Sequence, residues 1–218
     1  MITRCAICQI PAQKLICAGC RTLIKMPIYG CQYCAKPIAN SDNTVICSEC
    51  RSQQPSFDGI VCAGIYQPPA SEWVMGLKFS KQLHWSRAMA ELLTPMVNRL
   101  PHEWPLIAMP LHRRRLRHRG YNQAHELTKI LAKKTGRIEV RNLLQRAKYT
   151  AMQATLPEKK RRANVRNAFA VRGDDIPKEL ILVDDVLTTG QTLSAAANAL
   201  KKAGAETIYG AVFLRSEG

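Results

Sequence analysis

At 218 residues, with ordinary apolar content, the chain is long enough to bury a sizeable core, and it has no run of about eighteen apolar residues that would make a membrane span. The opening MITRCAICQIPAQKL carries no continuous apolar stretch, so a secretory leader is not expected and a cytoplasmic location is. A net charge of +16 and a pI near 9.8 point to a polyanionic partner: nucleic acid, a membrane surface or a phosphate-rich ligand.

Residues 1–57 are rich in cysteine and poor in periodic segments. Eight of the nine cysteines form four Cys-x-x-Cys pairs: Cys5/Cys8, Cys17/Cys20, Cys31/Cys34 and Cys47/Cys50. Such a turn brings two sulfurs to one edge of a metal, and two turns close a tetrahedral zinc site with no open position. The gaps are short, eight residues between Cys8 and Cys17 and twelve between Cys34 and Cys47. Adjacent pairing then gives two successive four-cysteine zinc ribbons; a crossed arrangement also satisfies the spacing. A disulfide framework is the weaker reading, because the count is odd and no export signal precedes it. Cys62, alone in an apolar stretch, reads as a small buried residue.

QQPSFDG at 53–59 marks a boundary, which divides the chain into 1–57 and 58–218. Beyond it, GIVCAGIY (59–66) reads as a strand and SEWVMGLKFS (71–80) as a short helix with Trp73, Val74 and Leu77 on one side. Met89, Leu92, Leu93, Met96, Val97 and Leu100 recur at helical spacing, with Pro95 expected to kink or split the helix. WPLIAMP (104–110) is a short strand, HRRRLRHRGYNQ (112–123) a basic loop, and AHELTKILAKKTG (124–136) a helix stopped by Gly136. EVRNLLQRAKY (139–149) is ambiguous, and 150–171 is polar and basic until its end. ELILVDD (179–185) is a strand, TLSAAANALKKAG (192–204) a helix with Leu193, Ala197 and Leu200 inward, and TIYGAVFL (207–214) a last strand. This alternation argues an α/β domain with a mainly parallel sheet flanked by helices. In such sheets ligands bind beyond the carboxyl ends of the strands.

LILVDDVLTTGQT (180–192) carries the chemistry. An apolar strand ends in Asp184 and Asp185, expected to point in different directions with neither deeply buried. Paired acids accept hydrogen bonds from a sugar diol or approach a magnesium ion brought by a phosphate ligand. Thr188, Thr189, Gly190, Gln191 and Thr192 then lead into a helix, whose N-terminus, hydroxyls and backbone N–H groups suit an anion. Diol at the acids and phosphate at the loop describe a ribose 5-phosphate. A capped helix start leaves the paired acids unexplained. The chain has no GxxxxGK[ST] and no GxGxxG, so a P-loop or dinucleotide fold is unsupported.

Two basic segments remain. HRRRLRHRG holds Arg113, Arg114, Arg115, Arg117 and Arg119, and EKKRRANVR holds Lys159, Lys160, Arg161, Arg162 and Arg166. Guanidinium groups suit either a pyrophosphate clamp or a nucleic-acid backbone. Tyr121, Tyr149 and Phe169 are candidate stacking faces.

The 180–192 motif resembles the 5-phosphoribosyl-1-pyrophosphate (PRPP) motif of type I phosphoribosyltransferases. With LKFS (77–80), MPLHRRRLRHRGYNQA (109–124), RRANVRNAF (161–169) and the four cysteine pairs, the whole chain resembles the ComF family. That resemblance implies a type I phosphoribosyltransferase-like domain behind an N-terminal double zinc ribbon. It implies that Asp184 and Asp185 hold the ribose hydroxyls and assist Mg2+, and that residues 188–192 hold the 5-phosphate. More loosely, it places the pyrophosphate loop at 110–120 and a mobile closing loop at 153–169. It also implies a role in DNA uptake and natural transformation, with single-stranded DNA and an uptake helicase or processing protein as partners. The alternative is a phosphoribosyltransferase that releases pyrophosphate to an unidentified small-molecule acceptor.

Overall fold

The computed structural model describes residues 3–26, 30–38, 45–147 and 168–216. Its centre is a four-stranded parallel sheet in the order β3 (Gly59–Ile65), β8 (Thr207–Arg215), β7 (Glu179–Leu187), β4 (Leu106–Ala108). Leu180, Ile181, Leu182 and Val183 of β7 are all fully buried, as a strand covered on both faces requires. Alternation sorts them. Ile181 and Val183 join Ala211 and Phe213 under α3 (Ala70–Phe79), α4 (Trp85–Val97) and α6 (Gln123–Thr135). Leu180 and Leu182 join Ile208 and Val212 under α7 (Gln191–Lys202), whose Leu193, Ala197 and Leu200 face inward as their spacing predicts.

Helix ends follow their sequence signals. Asn122 caps α6 by accepting from the Ala124 N–H at 3.1 Å, and Gly136 ends it in the left-handed conformation. Two expectations are corrected. Pro95 does not split α4, because it stands in the last turn, where its missing N–H removes only a terminal bond. The basic segment is not a loop: residues Arg113–Arg119 form a helix, α5. His112 Nδ1 accepts from the Arg114 N–H at 3.2 Å at its start, and Gly120 closes it with φ +86°. The ambiguous 139–149 stretch holds β5 (Leu144–Arg146), antiparallel to β6 (Phe169–Val171).

The carbonyls that end α4 meet a buried guanidinium. Arg137 donates to the carbonyls of Val97 (3.1 Å), Leu100 (2.7 Å), Trp104 (3.1 Å) and Pro101. Arg137→Met is expected to cost about 2–4 kcal/mol by stranding these acceptors. An unchanged denaturation midpoint would contradict that role.

The cysteine-rich segment packs on the same core. Its elements are β1 (Thr3–Arg4) paired with β2 (Pro11–Ala12), α1 (Ala18–Arg21) and α2 (Ser48–Ser52). Cys5 and Cys20 lie in the apolar cluster with Trp73 and Leu77; Cys31, Cys34 and Cys50 lie in the other, with Phe57 and Cys62. Cys62 is buried, as its apolar surroundings suggest.

Candidate functional site: an acidic strand end beside two four-cysteine centres

β7 runs past the acids to Leu187, so Asp184 and Asp185 project within the strand's final stretch rather than from a free end. Neighbouring positions on a pleat start toward opposite faces, yet the two carboxyls stay close enough to interact with each other. The expectation that neither is deeply buried is wrong for Asp185, whose side chain is 3% exposed and ion-paired to Lys78 Nζ at 3.0 Å. Burial of a carboxylate is tolerated there because α3 delivers an ammonium to it. Asp184 is half-buried, and its Oδ1 accepts from the Asp185 N–H at 2.8 Å. Burial, and then the charge of Asp185, push the Asp184 carboxyl up to about 7 despite Lys78. One acid is thus neutralised by the protein, and the other makes no ion pair among the described residues. That donor set fits a diol or a divalent ion.

The loop after the strand has the form an anion site needs. Thr188 and Thr189 are exposed, and Gly190 takes φ +75° at the N-cap of α7. A side chain there would be strained by that φ. Gln191 Oε1 is buried and accepts no hydrogen bond among the described residues, which marks a polar atom waiting for a partner.

α5 divides its arginines between two roles. Arg115 and Arg119, one helical turn apart, are half-buried, whereas Arg113, Arg114 and Arg117 face solvent. Burial lowers the pKa of Arg119, and the fields of Asp185 and Asp184 oppose that shift. Arg146 of β5 is likewise lowered by burial and by Arg115, and supported by Asp184. Arg119 and Arg146 therefore share the electrostatic surroundings of the acid pair, with Arg115 near both. Arg119 also donates to Gln123 Oε1 at 2.5 Å and stacks its guanidinium over Phe79, 5.7 Å from the ring centroid. Phe79 is 63% exposed.

Among the expected stacking residues, Phe169 is buried and Tyr121 is half-buried with its hydroxyl donating to the Leu77 carbonyl. Tyr149, Lys159, Lys160, Arg161, Arg162 and Arg166 lie outside the described residues, as does nearly all of the expected closing loop. Lys78, Phe79 and Arg146 were missed as site residues. Lys78 and Phe79 stand inside the quoted LKFS motif without a role, and only the α3–β7 packing reveals what they reach.

The cysteines assemble in adjacent pairs. The sulfurs of Cys5, Cys8, Cys17 and Cys20 all lie within 4.8 Å of one another, and so do those of Cys31, Cys34, Cys47 and Cys50. Cys8–Cys17 and Cys34–Cys47 stand at 3.7 and 3.8 Å. Tetrahedral zinc with ordinary Zn–S bonds requires a sulfur spacing of about 3.8 Å. N–H groups aim at the sulfurs: Cys17 N at Cys5 Sγ and Cys47 N at Cys31 Sγ, both 3.4 Å. Burial alone would raise the Cys5 thiol, but the N–H groups of Cys17, Cys8 and Ile7 bring it down to about 6. Cys20 goes the other way, pushed up to about 12 by burial and then by the neighbouring sulfurs. Four sulfurs gathered at this spacing suit one tetrahedral ion, and both centres could hold zinc.

A sheet of this topology with an acid pair and a glycine-capped helix at its ligand end, carrying a four-cysteine ribbon segment in front, defines a type I phosphoribosyltransferase-like protein. The family model described as the phosphoribosyl transferase domain matches residues 143–217. Over 206 residues the chain is 35% identical to Competence protein F of Haemophilus influenzae, covering 90% of this chain and 89% of that protein. It is 30% identical over 213 residues to DNA utilization protein YhgH of Salmonella typhi, covering 94% and 93%. It is 23% identical over 197 residues to Competence protein ComFC of Streptococcus pneumoniae, covering 88% and 84%. The chain belongs to the ComF family. No helix among the described residues is long and apolar enough to cross a membrane.

Proposed function

We propose that the chain binds PRPP or a related phosphoribosyl ligand with Mg2+, binds single-stranded DNA, and acts in the cytoplasm in DNA uptake. One observation carries the ligand reading: Asp184, with no ion pair among the described residues, stands beside the Lys78–Asp185 pair on the strand that leads into the Gly190-capped loop. On this reading Asp184 and Asp185 face the ribose hydroxyls, and Asp184 supplies the carboxylate for magnesium. Residues 188–192 hold the 5-phosphate. Magnesium bound there would neutralise the diphosphate, and Arg115 and Arg119 would add positive charge to the same end. Positive charge beside a diphosphate also suits its departure, which supports the second reading, pentosyl transfer to a small acceptor. Titration calorimetry with magnesium-PRPP, then with a single-stranded oligonucleotide in the same buffer, tests both binding claims. No heat from either would overturn this function.

The DNA reading rests on the other face of α5. Arg113, Arg114 and Arg117 are exposed, and Phe79 offers an exposed ring under Arg119 of the same helix. Cationic residues track a backbone and an aromatic face accepts a base whatever its identity. The relatives named for competence and DNA utilization support it. A helicase or processing protein of DNA uptake would be the protein partner.

Phe79→Ala is expected to weaken single-strand binding about tenfold, with little change in its salt dependence and none in magnesium-PRPP affinity. Arg113→Gln with Arg117→Gln should instead flatten the salt dependence, by about two phosphate contacts. Fluorescence anisotropy over a salt series separates the two. Equal affinity for wild type and Phe79→Ala would remove the ring from the interface.

A further inference from the structure

Arg215, the last residue of β8, is 2% exposed. Buried guanidinium groups ordinarily meet a carboxylate. Among the described residues no carboxylate pairs with this one. Its donors are spent in two directions instead. Nε donates to the Cys34 carbonyl at 2.8 Å, and Nη2 lies 3.8 Å from the Cys34 sulfur. Nη1 donates to the carbonyls of Leu187 (3.1 Å), Thr188 (2.5 Å) and Ser216. One planar cation thus grips a cysteine knuckle with one edge and the first residues of the proposed phosphate loop with another.

Charge explains why the cation can stay buried. Four thiolates around one divalent ion carry a net charge of about −2, and the sulfur nearest Arg215 belongs to that set. Without the metal the knuckle that presents the Cys34 carbonyl and sulfur is no longer held in place, and the guanidinium loses that partner. It then gains by moving to water, which releases the Thr188 carbonyl. The surroundings add a second link in the same place. The Ser56 N–H donates to Ser194 Oγ in the first turn of α7 at 2.9 Å, and Phe57 lies under Gly190, 3.6 Å from where a Cβ would stand. They lie six and seven positions after Cys50. Among the described residues the first centre shows no such route. Its buried cysteines pack in the other apolar cluster, and its Arg21 pairs with Glu91 of α4 at 3.1 Å.

We propose that Arg215 is a positioning residue that makes the shape of the 187–192 loop depend on metal at Cys31, Cys34, Cys47 and Cys50, and not on metal at Cys5, Cys8, Cys17 and Cys20. Two centres of identical donor set then have different duties, the second governing ligand binding at the acidic strand end. The effect on affinity rests on the phosphoribosyl reading of that loop; the coupling itself is readable without ligand.

The test is hydrogen exchange of the 187–192 segment in the full-length, zinc-loaded protein, alongside zinc stoichiometry and magnesium-PRPP titration. Arg215→Lys keeps the charge but cannot span both partners. It is expected to retain both metals while loop exchange rises about tenfold and PRPP affinity falls. Cys47→Ser should lose the second metal and raise loop exchange to the same degree. Cys8→Ser should lose the first metal and leave loop exchange as in the wild type. Unchanged exchange in Arg215→Lys and Cys47→Ser overturns the proposal, and so does an equal rise in Cys8→Ser. Should Arg215→Lys fail to fold, the contrast between Cys47→Ser and Cys8→Ser decides alone. If the exchange pattern holds but the wild type binds no magnesium-PRPP, the phosphoribosyl reading fails and the coupling stands.

Discussion

Asp184→Asn combined with Asp185→Asn is expected to abolish the rise in melting temperature that magnesium-PRPP gives the wild type. A ligand present at about a hundred times its dissociation constant stabilises by about 2.7 kcal/mol, a shift of several degrees for a chain of this size. Without the carboxylates the diol loses its acceptors and magnesium its anionic ligand, so the shift should vanish rather than shrink. The single variants separate the two acids. Asp185→Asn strands Lys78, which pairs with Asp185 at 3.0 Å, and should lower the stability of the ligand-free protein. Asp184→Asn removes the repelled partner and should leave that stability unchanged or raised. The sign follows from the direction of titration. Asp184 is raised to about 7 from an ordinary carboxylate value, so the folded state binds a proton that the unfolded state has released. Ligand-free stability from this group therefore falls as pH rises from about 4 through 7, and is flat above. Asp184→Asn should erase that slope in melting experiments between those limits. A double variant that still shows the full magnesium-PRPP shift would place the ligand elsewhere.

The parts of this architecture that could be read in advance are those set by neighbours in the chain. The uninterrupted Leu180–Val183 run announces a strand buried on both faces, and Gly136 closes a helix whose apolar residues repeat at the helical period. Gly190 likewise marks the turn into α7. What could not be read depends on elements far apart in sequence. Five arginines in seven positions argue against a helix because like charges repel, yet α5 forms. His112 and Gly120 cap it, and its inner face meets the field of acids more than sixty residues away. The burial of Asp185 is not legible locally, because nothing beside it in sequence neutralises it; its ammonium comes from α3. Nothing in the sequence singles out Phe79, because an isolated phenylalanine in an amphipathic helix ordinarily belongs to the core, yet its ring is 63% exposed. The cysteine spacing left adjacent and crossed pairing open, and only the sulfur positions close that choice. Arg215 is the extreme case, since its partner Cys34 lies 181 residues earlier and neither residue's sequence context hints at the other.

Zinc analysis of the purified protein is expected to find about two equivalents per chain, and removing them should lower the melting temperature by more than about 10 °C. The size follows from where the ligands sit. Cys5, Cys20, Cys31, Cys34 and Cys50 are all buried, divided between the two apolar clusters that enclose the sheet. Opening either centre therefore exposes core and does not merely fray a terminus. Structural zinc contributes folding free energy directly, on the order of 10 kcal/mol in isolated ribbons at neutral pH. Part of that is recovered when the freed thiols bind protons. Recovery is uneven, because Cys20 is pushed up to about 12 and takes a proton readily, whereas Cys5, brought down to about 6 by the N–H groups around it, stays ionised in a crowded site. A metal-free chain at neutral pH thus keeps a Cys5 thiolate held by N–H groups, a contribution lost as pH falls through about 6, while zinc binding itself weakens as protons compete for the sulfurs. Chelation followed by calorimetry at pH 7.5 and again near pH 5 checks this: the larger loss relative to the zinc-loaded protein belongs at the higher pH. A chain stripped of metal that melts as the loaded one does would mean that the eight sulfurs hold no structural ion.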